Sequence, residues 1–206
     1  MMRKRFDNSL KNIRGNLVKV GEYCVSVLEQ YESYTENSDE NILREIADNE
    51  DFVYRQIDNI NADILTLMLT QQPVAGDLRF LQSSIEIANS LKKIYSHITE
   101  SVLILINLKL SKKLGNTLNE FLSILSEMLK KSNDAYLNLN KSIANEVITE
   151  DEKVDSLFAK TVDEIVFETN EKNITAMQLA DLVLLFKYFE RIGDRCERIC
   201  KSTIEI

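Results

Sequence analysis

The residues of this sequence best suited to chemistry are four carboxylates with matching spacing. Asp151-Glu152-Lys153-Val154-Asp155 and Glu190-Arg191-Ile192-Gly193-Asp194 each carry two acids four residues apart. On a helix that spacing places both acids on one face. Folding the two segments into an antiparallel hairpin about a turn at Asn170 to Asn173 sets Asp151 opposite Asp194, and the same fold-back sets Asp155 opposite Glu190. Like charges at i,i+4 destabilise a helix by roughly 0.2–0.5 kcal/mol per pair, and facing pairs add to that. A bound cation removes the repulsion. Carboxylates suit hard or borderline ions, so Fe, Mn, Zn or Mg are the candidates, and four carboxylates can bridge more than one ion. Two blander explanations are open at this point. The acids could form a solvated face balanced by Lys153, Lys187, Arg191 and Arg195, or Asp151 could favour a helix N-terminus. Gly193 adds a clue, because glycine inside a helix costs about 1 kcal/mol relative to alanine and often marks a close approach.

The elements that must position these acids are helices. Apolar residues recur at three- and four-residue steps almost throughout, with no sustained period-2 stretch. Five glycines and one proline in 206 residues leave few tight turns. The expected fold is all-α, with six long helices near 6–35, 39–71, 73–110, 112–145, 150–170 and 174–204. Their starts are read from Ser38-Asp39-Glu40, Gln72-Pro73, Leu110-Ser111, a capping box from Thr149 to Glu152, and Asn173 or Thr175. The last helix shows its seam at Leu185, Phe189, Ile192, Cys196 and Ile199, the four-three alternation of a left-handed bundle. Helices one to three match helices four to six in length order. The expectation is therefore two tandem antiparallel three-helix bundles, residues 1–110 and 111–206.

The internal repeat offers a test of the acidic reading. The positions of the first half that match Asp151, Asp155, Glu190 and Asp194 are Glu50, Tyr54, Lys92 and Ser96. Only one carboxylate remains, and a lysine stands in place of Glu190. A Lys ammonium cannot share the centre of a site with a metal cluster, so this first site is not expected to bind metal.

Composition narrows the function classes. A net charge of −8 and the lack of a long Lys/Arg stripe argue against nucleic acid. The basic start Met1 to Arg5 is followed by no apolar segment, and the longest apolar run, Val102 to Ile106, is far too short to span a bilayer. A cytoplasmic protein is expected, reaching a membrane only through a partner. Cys24, Cys196 and Cys200 fit packed thiols in a reducing compartment. His97 is the sole histidine. One histidine excludes a ferritin-like di-iron layout and leaves little room for a catalytic triad. Ser96-His97-Ile98-Thr99-Glu100 also lacks the neighbouring lysine and small residue of a phosphotransfer histidine. The expectation is a protein without catalytic residues. A metal-dependent hydrolase working through the acidic cluster is the enzymatic alternative, and a structural adaptor without metal is the other.

The stretch Glu190-Arg191-Ile192-Gly193-Asp194-Arg195-Cys196-Glu197-Arg198-Ile199-Cys200 closely resembles the second-repeat signature of the PhoU family. Asp151-Glu152-Lys153-Val154-Asp155 resembles that family's first acidic motif, and Gln72-Pro73-Val74-Ala75-Gly76-Asp77-Leu78-Arg79 resembles its motif between helices two and three. The resemblance implies two three-helix bundles that hold multinuclear metal clusters on paired acidic motifs. It also implies a negative regulator of the phosphate-starvation response, contacting a phosphate transporter's ATPase subunit or a sensor histidine kinase, or an accessory of another phosphate carrier. Homodimers are a further expectation, suggested by apolar stripes on the long helices. The first repeat departs from the pattern, reading Lys92-Lys93-Ile94-Tyr95-Ser96 in place of the second signature. Metal binding therefore carries over only to Asp151, Asp155, Glu190 and Asp194.

Overall fold

Apolar stripes with few interruptions fold into long rods. The computed structural model describes the backbone of residues 2–172 and 174–206 and the side chains of residues 5–35, 37–169 and 174–206. Its helices are α1 (Met2–Asn37), α2 (Glu40–Asp48), α3 (Glu50–Thr70), α4 (Ala75–Leu105), α5 (Lys112–Asn138), α6 (Lys141–Lys172) and α7 (Ala176–Glu205). No strand occurs among the described residues.

The expected starts hold at three places. Asp39 caps α2 by accepting the Asn41 amide at 3.0 Å. Ser111 caps α5 through the Leu114 amide at 3.2 Å. Thr175 caps α7 in a reciprocal pair with Gln178. The alternative start at Asn173 lies outside the described residues.

Two expectations are corrected. The second expected rod is divided at Asn49, which has φ −86° and ψ 0° and closes α2. The Asn49 side chain donates to the Glu45 carbonyl at 2.8 Å, and the freed Ile46 carbonyl accepts the Tyr95 hydroxyl at 2.9 Å. The second correction concerns Thr149, which starts no helix. The break falls ten residues earlier, where Leu139 takes a left-handed conformation with φ 52° and the Asn140 side chain accepts the amides of Ser142 and Ile143. Thr149 instead donates to the Asn145 carbonyl within α6. The capping pattern lost to burial, because Ala144, Val147 and Val154 continue one apolar stripe through it. Asp151 therefore stands in the middle of a helix of 32 residues, and the helix-terminus explanation for it falls away.

The helices form the two expected three-helix bundles, α1 with α2–α3 and α4, and α5 with α6 and α7. They are joined by contacts of α1 with α5 and of α4 with α7, the latter the most extensive in the molecule. Helices α1, α4, α7 and α5 thus close a central ring. Helices α2 and α3 lie outside it on one side and α6 on the other. The buried side chains make one continuous core. At its middle Phe121 packs against Phe186 and Phe189 with ring centroids 5.6 and 5.9 Å apart, and Tyr31 reaches Phe189 at 5.8 Å. The Tyr136 hydroxyl meets Ser84 Oγ at 2.8 Å, tying α5 to α4. Gly21 lets α1 lie close on α5, since a Cβ there would stand 2.0 Å from Asn133 Oδ1. No described helix is long and apolar enough to cross a membrane.

Candidate metal centre

Helices α6 and α7 run antiparallel, and their register follows the expected fold-back. A Cβ on Gly193 would lie 2.6 Å from Asp151 Oδ1 and 3.1 Å from Val154 Cγ1. The Lys187 ammonium lies 5.1 Å from the centre of the Phe158 ring. Glycine at 193 is thus what allows the Asp151 carboxylate to press against the backbone of α7.

Asp151 is buried, and its Oδ1 has no hydrogen-bond partner. Burial, followed by the charges of Asp194, Asp155, Glu197 and Glu190, pushes its pKa up from the ordinary carboxylate range to about 7. Asp194 is also raised, by burial first and then by Glu190 and Asp155, with Lys187 and Arg195 partly offsetting them. Glu190 is half-buried. One of its oxygens takes the Lys187 ammonium, and its Oε2 is buried without a partner. Asp155 and Asp194 are exposed.

The four acids named from the sequence therefore share one neighbourhood. They do not yet form a coordination shell, since no three His, Cys, Asp or Glu side chains among the described residues stand ready around a single ion. The residues nevertheless fit a cation. Two buried carboxylate oxygens lack donors, the donor set is all oxygen, and the raised pKa values record repulsion that a positive charge would relieve. Asp155 and Asp194 have the freedom of exposed side chains to turn inward. The solvated-face explanation accounts for those two and not for Asp151.

Glu197 belongs to the same neighbourhood and was not singled out from sequence. Its signal was present, because Glu190, Asp194 and Glu197 step by four and three along one face of α7. Among the described residues Lys187 binds Glu190 directly and Lys201 pairs with Glu197 at 2.6 Å, whereas Arg191 lies over the Tyr188 ring at 5.8 Å.

The matching place in the first half is closed by its own side chains. The Tyr54 hydroxyl donates to Glu50 at 2.8 Å. The Lys92 ammonium lies 4.6 Å from the centre of the Tyr54 ring and 2.9 Å from Asp58 Oδ1. Ser96 is in hydrogen-bonding reach of Tyr54. Tyr95 stands where the second half has Gly193. It is fully buried, it stacks on Tyr23, and its hydroxyl takes the carbonyl freed by the break between α2 and α3.

Known proteins share this architecture. The crystal structure of PhoU from Pseudomonas aeruginosa superposes with a TM-score of 0.90 at 20% identity, covering 97% of each chain. That of the phosphate transport system regulatory protein PhoU from Streptococcus pneumoniae gives 0.87 at 17% identity, covering 97% of this chain and 95% of that one. A phosphate-specific transport system accessory protein PhoU homolog from Clostridium acetobutylicum is 29% identical over 99% of this chain and 94% of its own. A second such homolog, from Methanothermobacter thermautotrophicus, is 27% identical over 97% and 92%. The family model described as PhoU domain matches twice, at residues 17–103 and again at 118–203. With two copies of that domain spanning most of its length, the chain belongs to the PhoU family.

Proposed function

We propose that this protein is a cytoplasmic, non-enzymatic regulator of phosphate uptake and homeostasis. On this reading it is an accessory of a phosphate transport system and a negative regulator of the phosphate-starvation response. It acts by contact with the transporter's ATPase subunit, a sensor histidine kinase or both. The observation that carries the reading is the doubled PhoU domain along nearly the whole chain, together with relatives named as accessory proteins of phosphate-specific transport. The absence of a nucleophile–base arrangement in the sequence favours a binding role over catalysis.

The second bundle, within residues 111–206, is the metal-dependent half. Asp151, Asp155, Glu190 and Asp194 would hold Fe, Mn, Zn or Mg, with Glu197 within range of the same charge. A bound cation would supply positive charge where the fold has concentrated negative charge. Asp151 provides the fixed, buried oxygen and Gly193 the room for it. Glu190 would provide a second buried oxygen in place of its bond to Lys187, and the exposed Asp155 and Asp194 would supply the remaining oxygens. Binding only to the folded form would stabilise that form and with it the α6–α7 hairpin. The first bundle, within residues 1–110, keeps its hairpin together with Lys92 and Tyr54 and works without metal.

The experiment is affinity purification of the tagged protein from its host at high and low phosphate, with crosslinking and mass spectrometry. Enrichment of a phosphate-transporter ATPase or a sensor kinase is the expected outcome. Recovery of neither in either condition would sink the regulatory reading. In a separate purification, protein reloaded with each metal should retain ion above the level of an Asp151/Asp155/Glu190/Asp194 quadruple alanine variant.

A further inference from the structure

The face of α7 next to the acidic one carries the opposite chemistry. His97 of α4 stacks on Tyr188 of α7, with ring centroids 5.6 Å apart and planes at 30°. Lys93 lies one turn before His97 on α4, and Arg191 and Arg195 follow Tyr188 on α7. All three cations are close enough to act on the imidazole, which burial and their charge hold down to a pKa of about 4. The negative groups facing this place are few. They are Glu100, whose charge acts on Tyr188, and Asp194, which lies beside Arg195 on the adjoining face.

Three nitrogens at this seam are buried without a partner, His97 Nδ1, His97 Nε2 and Arg195 Nε. None of Lys93, Arg191 and Arg195 enters a salt bridge among the described residues. Leaving a buried donor unsatisfied costs about 1–3 kcal/mol, more for a charged one. Gathering three cations around one ring without an ion pair among the described residues adds repulsion, in a chain whose net charge of −8 offers many carboxylates that could have been placed closer. A compact anion with several acceptor oxygens would supply the missing partner. Two guanidinium groups and an ammonium that act on one imidazole from two helices suit a tetrahedral phosphoryl group. They suit a single carboxylate less, because its two oxygens lie along one edge.

We propose that the seam between α4 and α7, formed by Lys93, His97, Arg191 and Arg195, binds a phosphoryl oxyanion. The two nitrogens of His97 have almost no exposed surface, so the ring turns on its χ angles to meet the anion while Arg191 and Lys93 hold it from the solvent side. The site joins the two bundles, because each contributes half of the ligands. It requires no metal, and it stands or falls independently of the regulatory reading.

The sole histidine makes the test direct. With labelled histidine, the full-length protein shows one set of imidazole signals that needs no assignment. Inorganic phosphate is titrated in the presence of EDTA at constant ionic strength, with chloride as the control. A saturable shift of the His97 signals with phosphate but not chloride is expected. It should be accompanied by a rise of the imidazole pKa, because an anion would offset Lys93, Arg191 and Arg195. In Lys93→Gln and in Arg195→Gln the apparent Kd should rise roughly tenfold or more, the loss of one charge-assisted contact. Circular dichroism checks that each variant is folded, and Lys93→Gln, at an exposed position, decides if Arg195→Gln is not. Parallel titrations with O-phosphoserine and with glycerophosphate identify the source. Tighter binding of either than of inorganic phosphate assigns the site to a phosphoryl group on a larger molecule. The absence of a saturable shift with all three up to roughly 10 mM overturns the proposal. So does a shift that is undiminished in the folded variants.

Discussion

Removing the Asp151 charge should have opposite effects with and without metal. In the metal-free protein Asp151 is a carboxyl whose pKa is raised to about 7 by burial and by Asp194, Asp155, Glu197 and Glu190. A raised carboxyl favours the fold while it is protonated, at pH below the ordinary Asp range. That contribution is lost as pH rises toward 7, where folding must hold the group ionised. The difference from an unperturbed Asp corresponds to about 4 kcal/mol before screening. The neighbouring charges on Asp155 and Asp194 are solvent-exposed, which reduces the effect to roughly 2 kcal/mol. Asp151→Asn keeps the shape and removes the ionisation. In EDTA at pH 8 the variant should melt above the parent by roughly 4–8 °C, and the gap should close as pH falls to 4. With saturating metal the order should reverse, since the parent gains binding free energy and the variant does not. Thermal unfolding followed by circular dichroism at pH 4, 6 and 8, with and without metal, reads both effects. If Asp151→Asn is no more stable than the parent at pH 8 in EDTA, the burial and repulsion argued for this carboxylate are wrong.

Gly193→Ala places a methyl 2.6 Å from Asp151 Oδ1. The carboxylate must swing away, so calorimetric metal affinity should fall at least tenfold, while chemical denaturation in EDTA shows a loss of only about 1–2 kcal/mol. Lys187→Met frees the Glu190 oxygen that the ammonium now occupies. Metal affinity measured by titration should rise several-fold, and an unchanged affinity would show that Lys187 does not compete. Tyr95→Phe leaves the buried Ile46 carbonyl without its donor, and urea unfolding should show a cost of about 1–2 kcal/mol with no change in metal binding.

The sequence carried the fold because helical periodicity is a property of every turn and survives local errors. Thr149-Glu150-Asp151-Glu152 has the local chemistry of a helix start, yet the apolar stripe through Ala144, Val147 and Val154 runs past it. A cap contributes about 1 kcal/mol, and a buried stripe contributes more. The break at Asn49 was illegible for the opposite reason. Its cause is Tyr95, distant in sequence, which takes the Ile46 carbonyl. The acid pairs were legible because an antiparallel hairpin fixes which residues face each other. Which of them would be buried was not, since Asp151 and Asp155 share a spacing and a helix face while only Asp151 lies under the backbone of α7. The stacking of His97 on Tyr188 depended on how the two bundles pack, and no local pattern announces that.

The two halves can be understood as two solutions to one electrostatic problem. An antiparallel hairpin that places polar groups between its helices needs positive charge among the negative. In the first half the cation is covalently attached. Lys92 lies over Tyr54 and on Asp58, with Glu50 bound to the Tyr54 hydroxyl. Tyr95 fills the volume that glycine leaves open in the second half. There the corresponding positions are all acidic; Lys187 binds Glu190 and, with Arg195, partly offsets Asp194, yet Asp151 Oδ1 and Glu190 Oε2 have no partner. On the proposed reading these tethered cations are too few for that set, and a mobile cation supplies the rest. Along α7 the acids Glu190, Asp194 and Glu197 are each followed one residue later by Arg191, Arg195 and Arg198. One residue is a rotation of about 100° on a helix, enough to separate the two rows onto adjoining faces. The same eleven residues therefore direct negative charge toward α6 and positive charge toward α4. A helix with both rows on one face would have neutralised itself, and neither proposed ion site would follow from it.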